Sequence, residues 1–310
     1  MYLNLTHQTA HDRWWVCLWL VLLVPLATWA MPVMALTPTV FYYQGAEDES
    51  DGRNAYVKAV LQLALEKTED EYGPFTMLEA GGYLNKARLL RELQQGHFNN
   101  LFVRASVTNE MLANFAVVEF PLARGMAGYR VAFIRAEGAE LQRFCQLDKS
   151  ALQQLSIVQG IGWLDSQILQ ANGFKVQQVS HYQNMFSMLR AKRADLFFRA
   201  INEIDIEQQQ VAHDYGMLQV EPCLALYYPL PRFFITDKNN TKNAERVYRG
   251  LVRAYADGSF IRLWQHYFDA SIKRLQQRRI IPLNNPFIDQ LDPQYQRYNV
   301  NIELPQSSAK

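Results

Sequence analysis

Apolar residues along this chain recur in blocks that switch between strand-like and helix-like spacing. Thr39-Val40-Phe41-Tyr42-Tyr43 is a short apolar run of the kind that forms a buried strand, and from Tyr56 the residues Val57, Val60, Leu61, Ala64 and Leu65 recur at helical spacing. Phe75 to Leu78 reads as a second strand, Leu84 to Leu93 as a second helix closed by Gly96, and Leu101-Phe102-Val103 as a third strand. Strands separated by helices of this length predict right-handed crossovers and a parallel sheet. Phe120-Pro121-Leu122, Gly125 and Gly128 break the pattern before a new strand at Tyr129 to Ile134. From Leu155 to Glu203 the alternation returns as strand, glycine turn, helix, strand, helix and a strand ending in Arg199-Ala200. Leu218 to Tyr228 is extended, and Tyr228-Pro229-Leu230-Pro231 makes a second break. Two apolar stripes then predict a closing pair of helices, with Asp257-Gly258 as the turn and Ser259 as an N-cap.

The N-terminus changes this picture. Arg13 precedes the uncharged run from Trp14 to Ala30, and Val33-Met34-Ala35 offers small or modest residues at the positions a signal peptidase requires. Residues 1–35 therefore read as a cleaved signal peptide, the alternative being an uncleaved anchor of nearly bilayer length. This predicts export to the periplasm of a Gram-negative bacterium. The remaining chain is long enough for one large domain or two smaller halves. A formal net charge of +1 excludes a strong electrostatic case for nucleic acid or an anionic membrane surface. Cys145 and Cys223 survive processing and are expected as two buried free thiols, with a disulfide as the alternative that an oxidising compartment permits.

Asp257-Gly258-Ser259-Phe260, followed by Trp264 and Tyr267-Phe268, resembles the C-terminal helix of family 3 extracellular solute-binding proteins. Met188-Leu189-Arg190-Ala191-Lys192-Arg193-Ala194-Asp195 is similar to that family's helix-to-strand element. Val107-Thr108-Asn109-Glu110 and then Phe120-Pro121-Leu122 fall where the first half of such a protein crosses to the second. The resemblance covers residues 39–270 and implies an α/β type II periplasmic binding protein, in which two lobes joined by a two-stranded hinge close over a cleft. It further implies that residues 36–122 plus 226–272 form lobe 1, that 125–222 form lobe 2, and that 273–310 are a C-terminal extension.

The departures bear on the ligand. Amino-acid binders of this family hold the α-carboxylate with an arginine just after the Thr-x-Glu element, where this chain has Met111. They hold the α-amino group with an aspartate just past the last lobe 2 strand, where this chain has Arg199-Ala200. Without both partners the charged ends of an amino acid would lie unpaired in a desolvated cleft, at a substantial free-energy cost.

Open α/β sheets bind ligands beyond the carboxyl ends of their strands. On that rule Arg199 and Asn202 follow one strand, Arg104 takes the equivalent place in the first half with Ser106 and Thr108 beside it, and Tyr43 and Gln44 sit at the end of the first strand. Arg199 suits a carboxylate through bidentate hydrogen bonding, its alternative being a salt bridge to Glu203 four residues on. Gly160-Ile161-Gly162-Trp163 lies between a strand and a helix, where backbone amides can cradle an anion. There Trp163 can stack on a flat ligand group and Asp165 can cap the helix, the alternative being a tight turn with Trp163 packed inward.

The histidines at 7, 11, 97, 181, 213 and 266 lack metal-ligand spacing, and no G-x-S-x-G, H-E-x-x-H or Cys-His signature is present. No cofactor is expected. The sequence reading is a monomeric, non-enzymatic solute-binding protein that takes a small, carboxylate-bearing ligand and serves an ABC permease or a membrane sensor. Its alternatives are an exported dehydratase-like lyase on the same fold and an envelope interaction protein that has lost ligand capture. The last of these predicts a cleft filled by its own side chains.

Overall fold

The computed structural model describes residues 37–45, 53–80, 86–135 and 139–302. The segment read as a signal peptide lies outside them. In chain order come β1 (Thr39–Tyr43), α1 (Arg53–Glu66), α2 (Glu69–Tyr72), β2 (Phe75–Glu79), α3 (Lys86–Gln94), β3 (Leu101–Ser106), α4 (Asn109–Asn114) and β4 (Ala116–Val118). After a 3-10 turn at Met126–Gly128 follow β5 (Tyr129–Arg135), α5 (Ala139–Cys145), α6 (Lys149–Gln154), β6 (Ser156–Gly160), α7 (Leu164–Ala171), β7 (Lys175–Val179), α8 (Tyr182–Arg190), β8 (Phe197–Ala200) and α9 (Ile204–Tyr215). The chain closes with β9 (Leu218–Val220), β10 (Leu224–Tyr227), β11 (Arg232–Thr236), α10 (Thr241–Ala256), α11 (Ser259–Leu275), β12 (Arg279–Pro282) and a 3-10 turn at Pro293–Tyr298. Gly258 takes the N-cap place of α11 that the sequence suggested for Ser259, whose hydroxyl donates to Asp257 instead.

The first sheet runs β2-β1-β3-β11-β4. Its β1, β2 and β3 are parallel, as the strand–helix alternation predicts, while β11 returns antiparallel between β3 and β4. Burial explains the composition of β3: Val103 and Ala105 face one apolar cluster, and Phe102 faces another beneath α1, α10 and α11. Arg104 and Ser106 continue the Phe102 face beyond that cover and are half-buried. The second sheet runs β12-β10-β5-β8, with β9 also pairing β5, and the parallel pair β6-β7 joins it through a bridge from Ile157 to Leu196.

Two connections pass between the sheets side by side. Tyr228 donates its backbone N–H to the carbonyl of Gly128 at 3.3 Å, and Leu122 donates to Arg232 at 3.0 Å. A side chain at Gly128 would meet the Tyr228 carbonyl oxygen at 2.3 Å, so this close approach requires glycine. The chain crosses twice more after α11. β12 pairs with β10 in the second sheet, and Tyr295 and Tyr298 then pack against Phe233 and Phe120 on the first.

The expected free thiols are instead a disulfide. Cys145 at the end of α5 is joined to Cys223, with Cα atoms 5.0 Å apart. The extended run expected from Leu218 to Tyr228 is broken by a turn at 221–223. There the Glu221 carboxylate accepts the N–H groups of Cys223 and Leu224, both at 2.7 Å. That turn carries Cys223 to the end of α5, a placement with no local sequence signal. Among the described residues no helix is long and apolar enough to cross a membrane.

Candidate functional site

β3 and β8 each carry an arginine near the carboxyl end, Arg104 and Arg199, and the antiparallel return of β11 adds a third. Arg232 opens β11 directly opposite Ser106, and Arg199 is the penultimate residue of β8. A fourth, Arg130, lies in β5 opposite Ala200.

Arg199 is 7% exposed. Its Nε donates to both carboxylate oxygens of Glu207 at 3.0 and 2.8 Å, and its Nη2 lies 2.5 Å from Glu207 Oε1 and 3.0 Å from Glu203 Oε2. The guanidinium also sits over the rings of Trp163, Tyr182 and Phe197, at 5.1, 5.4 and 5.7 Å from their centroids. Burial alone would lower its pKa, but Glu203 and Glu207 outweigh that and hold it firmly protonated. Glu203 also reaches Arg232 of the first sheet, Oε1 to Nη1, at 3.3 Å. Burial works to raise the Glu203 carboxyl, yet Arg199, Arg232, Arg130 and Arg104 together hold it well below the usual carboxylate range.

A second buried pair adjoins the first. Arg130, 2% exposed, lies 2.8 Å from Asp165 Oδ1 through Nη2, and the Tyr228 hydroxyl donates to the same oxygen. Among the described residues, four arginines (104, 130, 199 and 232) thus gather around three carboxylates (Asp165, Glu203 and Glu207) where the two sheets face each other.

The expected site residues divide. Arg104, Trp163, Asp165 and Arg199 belong to this cluster, and Ser106 adjoins it through the register with Arg232. Asn202 is half-buried just after β8, and its side-chain oxygen has no hydrogen-bond partner among the described residues. Of two further expectations, one gains a structural role and one is corrected. The Thr108 hydroxyl caps α4 by accepting from Met111 N at 3.4 Å, so its oxygen serves the helix start. Asp165 does not cap α7; the buried charge of Arg130 holds it instead. Tyr43 has Lys58 over its ring at 5.1 Å and makes no described contact with the arginines. Gly162 sits in the turn before α7 at φ +75°, beside Ile161, which is 61% exposed. Arg199 takes the carboxylate partner the sequence offered as its alternative, and adds Glu207.

Sequence reasoning missed Arg130, Tyr182, Glu207, Tyr228 and Arg232. A charge inside the apolar strand 129–134 was a visible signal for Arg130, and the i,i+4 spacing from Glu203 was one for Glu207. Arg232 gave none, because only the β3–β11 register brings it here. The largest described cavity, about 710 Å³, contains none of these residues; it lies between β4, α10 and the segment 290–298. Among the described residues, the one group spaced like metal ligands is Cys145, Glu221 and Cys223, whose sulfurs are joined to each other.

No protein-family model matches the sequence, and no curated protein matches it. Many solved structures match the fold. A probable amino-acid ABC transporter extracellular-binding protein from Bacillus subtilis aligns at TM-score 0.54 and 11% identity, covering 74% of this chain and 98% of that one. A Salmonella typhimurium periplasmic binding protein described for high arginine specificity aligns at 0.52 and 12%, covering 74% and 99%. An ancestral amino-acid-binding protein, described as a precursor of cyclohexadienyl dehydratase, aligns at 0.50 and 12%, covering 74% and 95%. At these identities the likeness shows the fold: this chain folds as a type II periplasmic binding protein.

Proposed function

We propose that this chain is an exported solute-binding protein that takes a small carboxylate-bearing molecule between its two sheets and presents it to a membrane transporter or sensor. The observation that carries this reading is the convergence of four arginines, from both sheets, on carboxylates at the ends of the strands. In the closed form Glu203 and Glu207 occupy those arginines themselves. A ligand carboxylate takes over Arg199 and Arg232 when it displaces them, with Trp163 and Tyr182 stacking on the ligand body. The resolved solute-binding neighbours support this reading, while Met111 and Ala200 turn the ligand away from ordinary amino acids.

The arginines hold Glu203 ionised, which does not suit it as a general acid near neutral pH. The envelope-interaction reading keeps one specific support, since the crevice arginines are already satisfied by the chain's own side chains.

A thermal-shift screen of the protein from Leu36 onward, against organic acids, amino acids, small peptides and sugars, separates these readings. It should be run in parallel on wild type and Glu207→Gln. A ligand at a hundred times its dissociation constant stabilises a fold by about 2.7 kcal/mol. A carboxylate hit strengthened in Glu207→Gln establishes capture. A well-folded protein with no hit in either form establishes the interaction reading.

A further inference from the structure

The second sheet has another end. β5 starts beside the crevice with Arg130 and finishes at Arg135, roughly 17 Å farther on at about 3.4 Å per residue. There a cavity of about 180 Å³ opens, lined by Arg135, Arg143, Phe144, Leu155, Lys192 and Asp195. Phe144 and Leu155 are half-buried and pack onto the apolar cluster of this half, and the wholly buried Leu189 completes the cavity wall.

Among the described residues, three cations therefore surround an apolar floor, against a single carboxylate. Asp195 is already engaged, accepting the backbone N–H of Ser156 at 2.8 Å. The Arg135 guanidinium is held in place by the carbonyl of Arg190 and by Met217 Sδ, neither of which neutralises it. Among the described residues no carboxylate forms an ion pair with Arg135, Arg143 or Lys192.

A backbone observation singles out Lys192. It sits just past the end of α8 at φ +54°, in the left-handed region where helices usually place glycine. A side chain there carries strain that glycine avoids, and strain of this kind is kept where neighbouring structure or function requires it. This side chain lines the cavity.

We propose that this cavity is a second ligand site, separate from the crevice, for a carboxylate with an apolar body about one ring in size. The cations suit the carboxylate, and Phe144, Leu155 and Leu189 suit the ring. The volume lies below the roughly 300–1,000 Å³ of sites that enclose drug-sized ligands, so the occupant is small. The cations are largely exposed, so binding weakens as salt rises.

Benzoate is the probe. Benzamide serves as its uncharged counterpart, and acetate as the charge without the ring. Saturating benzoate is expected to raise the melting temperature of the intact mature protein by about 2–4 °C, with benzamide and acetate inactive. Lys192→Gly is expected to melt higher than wild type without ligand, because its strain is relieved, and to lose the benzoate shift. Arg143→Ala changes an exposed helix position, so it should melt as wild type does and also lose the shift. The opposite signs for Lys192→Gly separate a ligand role from a structural one. Absence of a benzoate shift, or a shift that survives in either variant, overturns the proposal. The surviving shift would place benzoate in the crevice instead and leave the solute-binding reading standing.

Discussion

Arg232 and Glu203 join the two sheets through one ion pair, Nη1 to Oε1 at 3.3 Å, although they lie on different sides of the crevice. Glu203 is also held by Arg199, so the pair belongs to a buried network rather than to the surface. Removing one member of such a network leaves its partners charged and dry.

Arg199→Met is accordingly expected to cost about 3–5 kcal/mol, because Glu203 and Glu207 lose their shared cation. Urea denaturation measures it. Adding Glu207→Gln to Arg199→Met should recover part of the loss, and strict additivity of the two changes would show that they do not act together.

Stability should also fall in acid through Glu203. Its folded carboxyl lies below the unfolded value of about 4.3, so its contribution is complete above that value and is lost as pH drops toward the folded pKa. Equilibrium denaturation between neutral pH and pH ~3 should show wild type losing more stability than Glu203→Gln does. Equal slopes for the two proteins would remove Glu203 from the pH dependence.

The disulfide spans 78 residues of sequence, and in the chain-entropy account closing a loop of that size stabilises by on the order of 4 kcal/mol. A Cys145→Ser/Cys223→Ser variant, or wild type in reductant, should have its urea midpoint lowered to match, with the m-value the test of whether the unfolded state has changed.

Trp163 rests against Gly160, and a Cβ on Gly160 would lie 2.4 Å from the indole. Gly160→Ala should push the ring off Arg199 at a cost of about 1–3 kcal/mol. The Trp163 indole N–H resonance should move while the overall fold persists. An unmoved resonance would mean that the backbone gives way instead.

What could be read from the sequence follows the range of the interactions. β1, β2, β3, β6 and β7, and the helices between them, were legible because apolar periodicity is local. Strand topology alone selects Arg104 and Arg199, and the two fall in one charged cluster. The resemblance implied that residues 226–272 rejoin the first half, but the place of β11 between β3 and β4 was not legible, since its pairing joins segments more than a hundred residues apart, and Arg232 went unseen with it. Asp165 was misjudged as a helix cap because a distant arginine claims it, while the Thr108 hydroxyl took on the local task of beginning α4. Cys145 and Cys223 met only because a turn absent from the hydrophobic pattern interrupts an extended run.

After β12 the chain runs beside the crossing segment. Leu283 and Asn285 donate to the carbonyls of Tyr227 and Pro229, Asn284 pairs with Asn172 of the second half, and Phe287 and Asp289 hold Asn109 of the first. Two bodies joined only at a pair of strands can swing freely about them. A tether fastened to both bodies limits the swing to its own slack. On the proposed solute-binding reading, exchange would wait on the few polar contacts along residues 283–290, and a single protease cut in that stretch is expected to speed it while sparing every residue of the crevice.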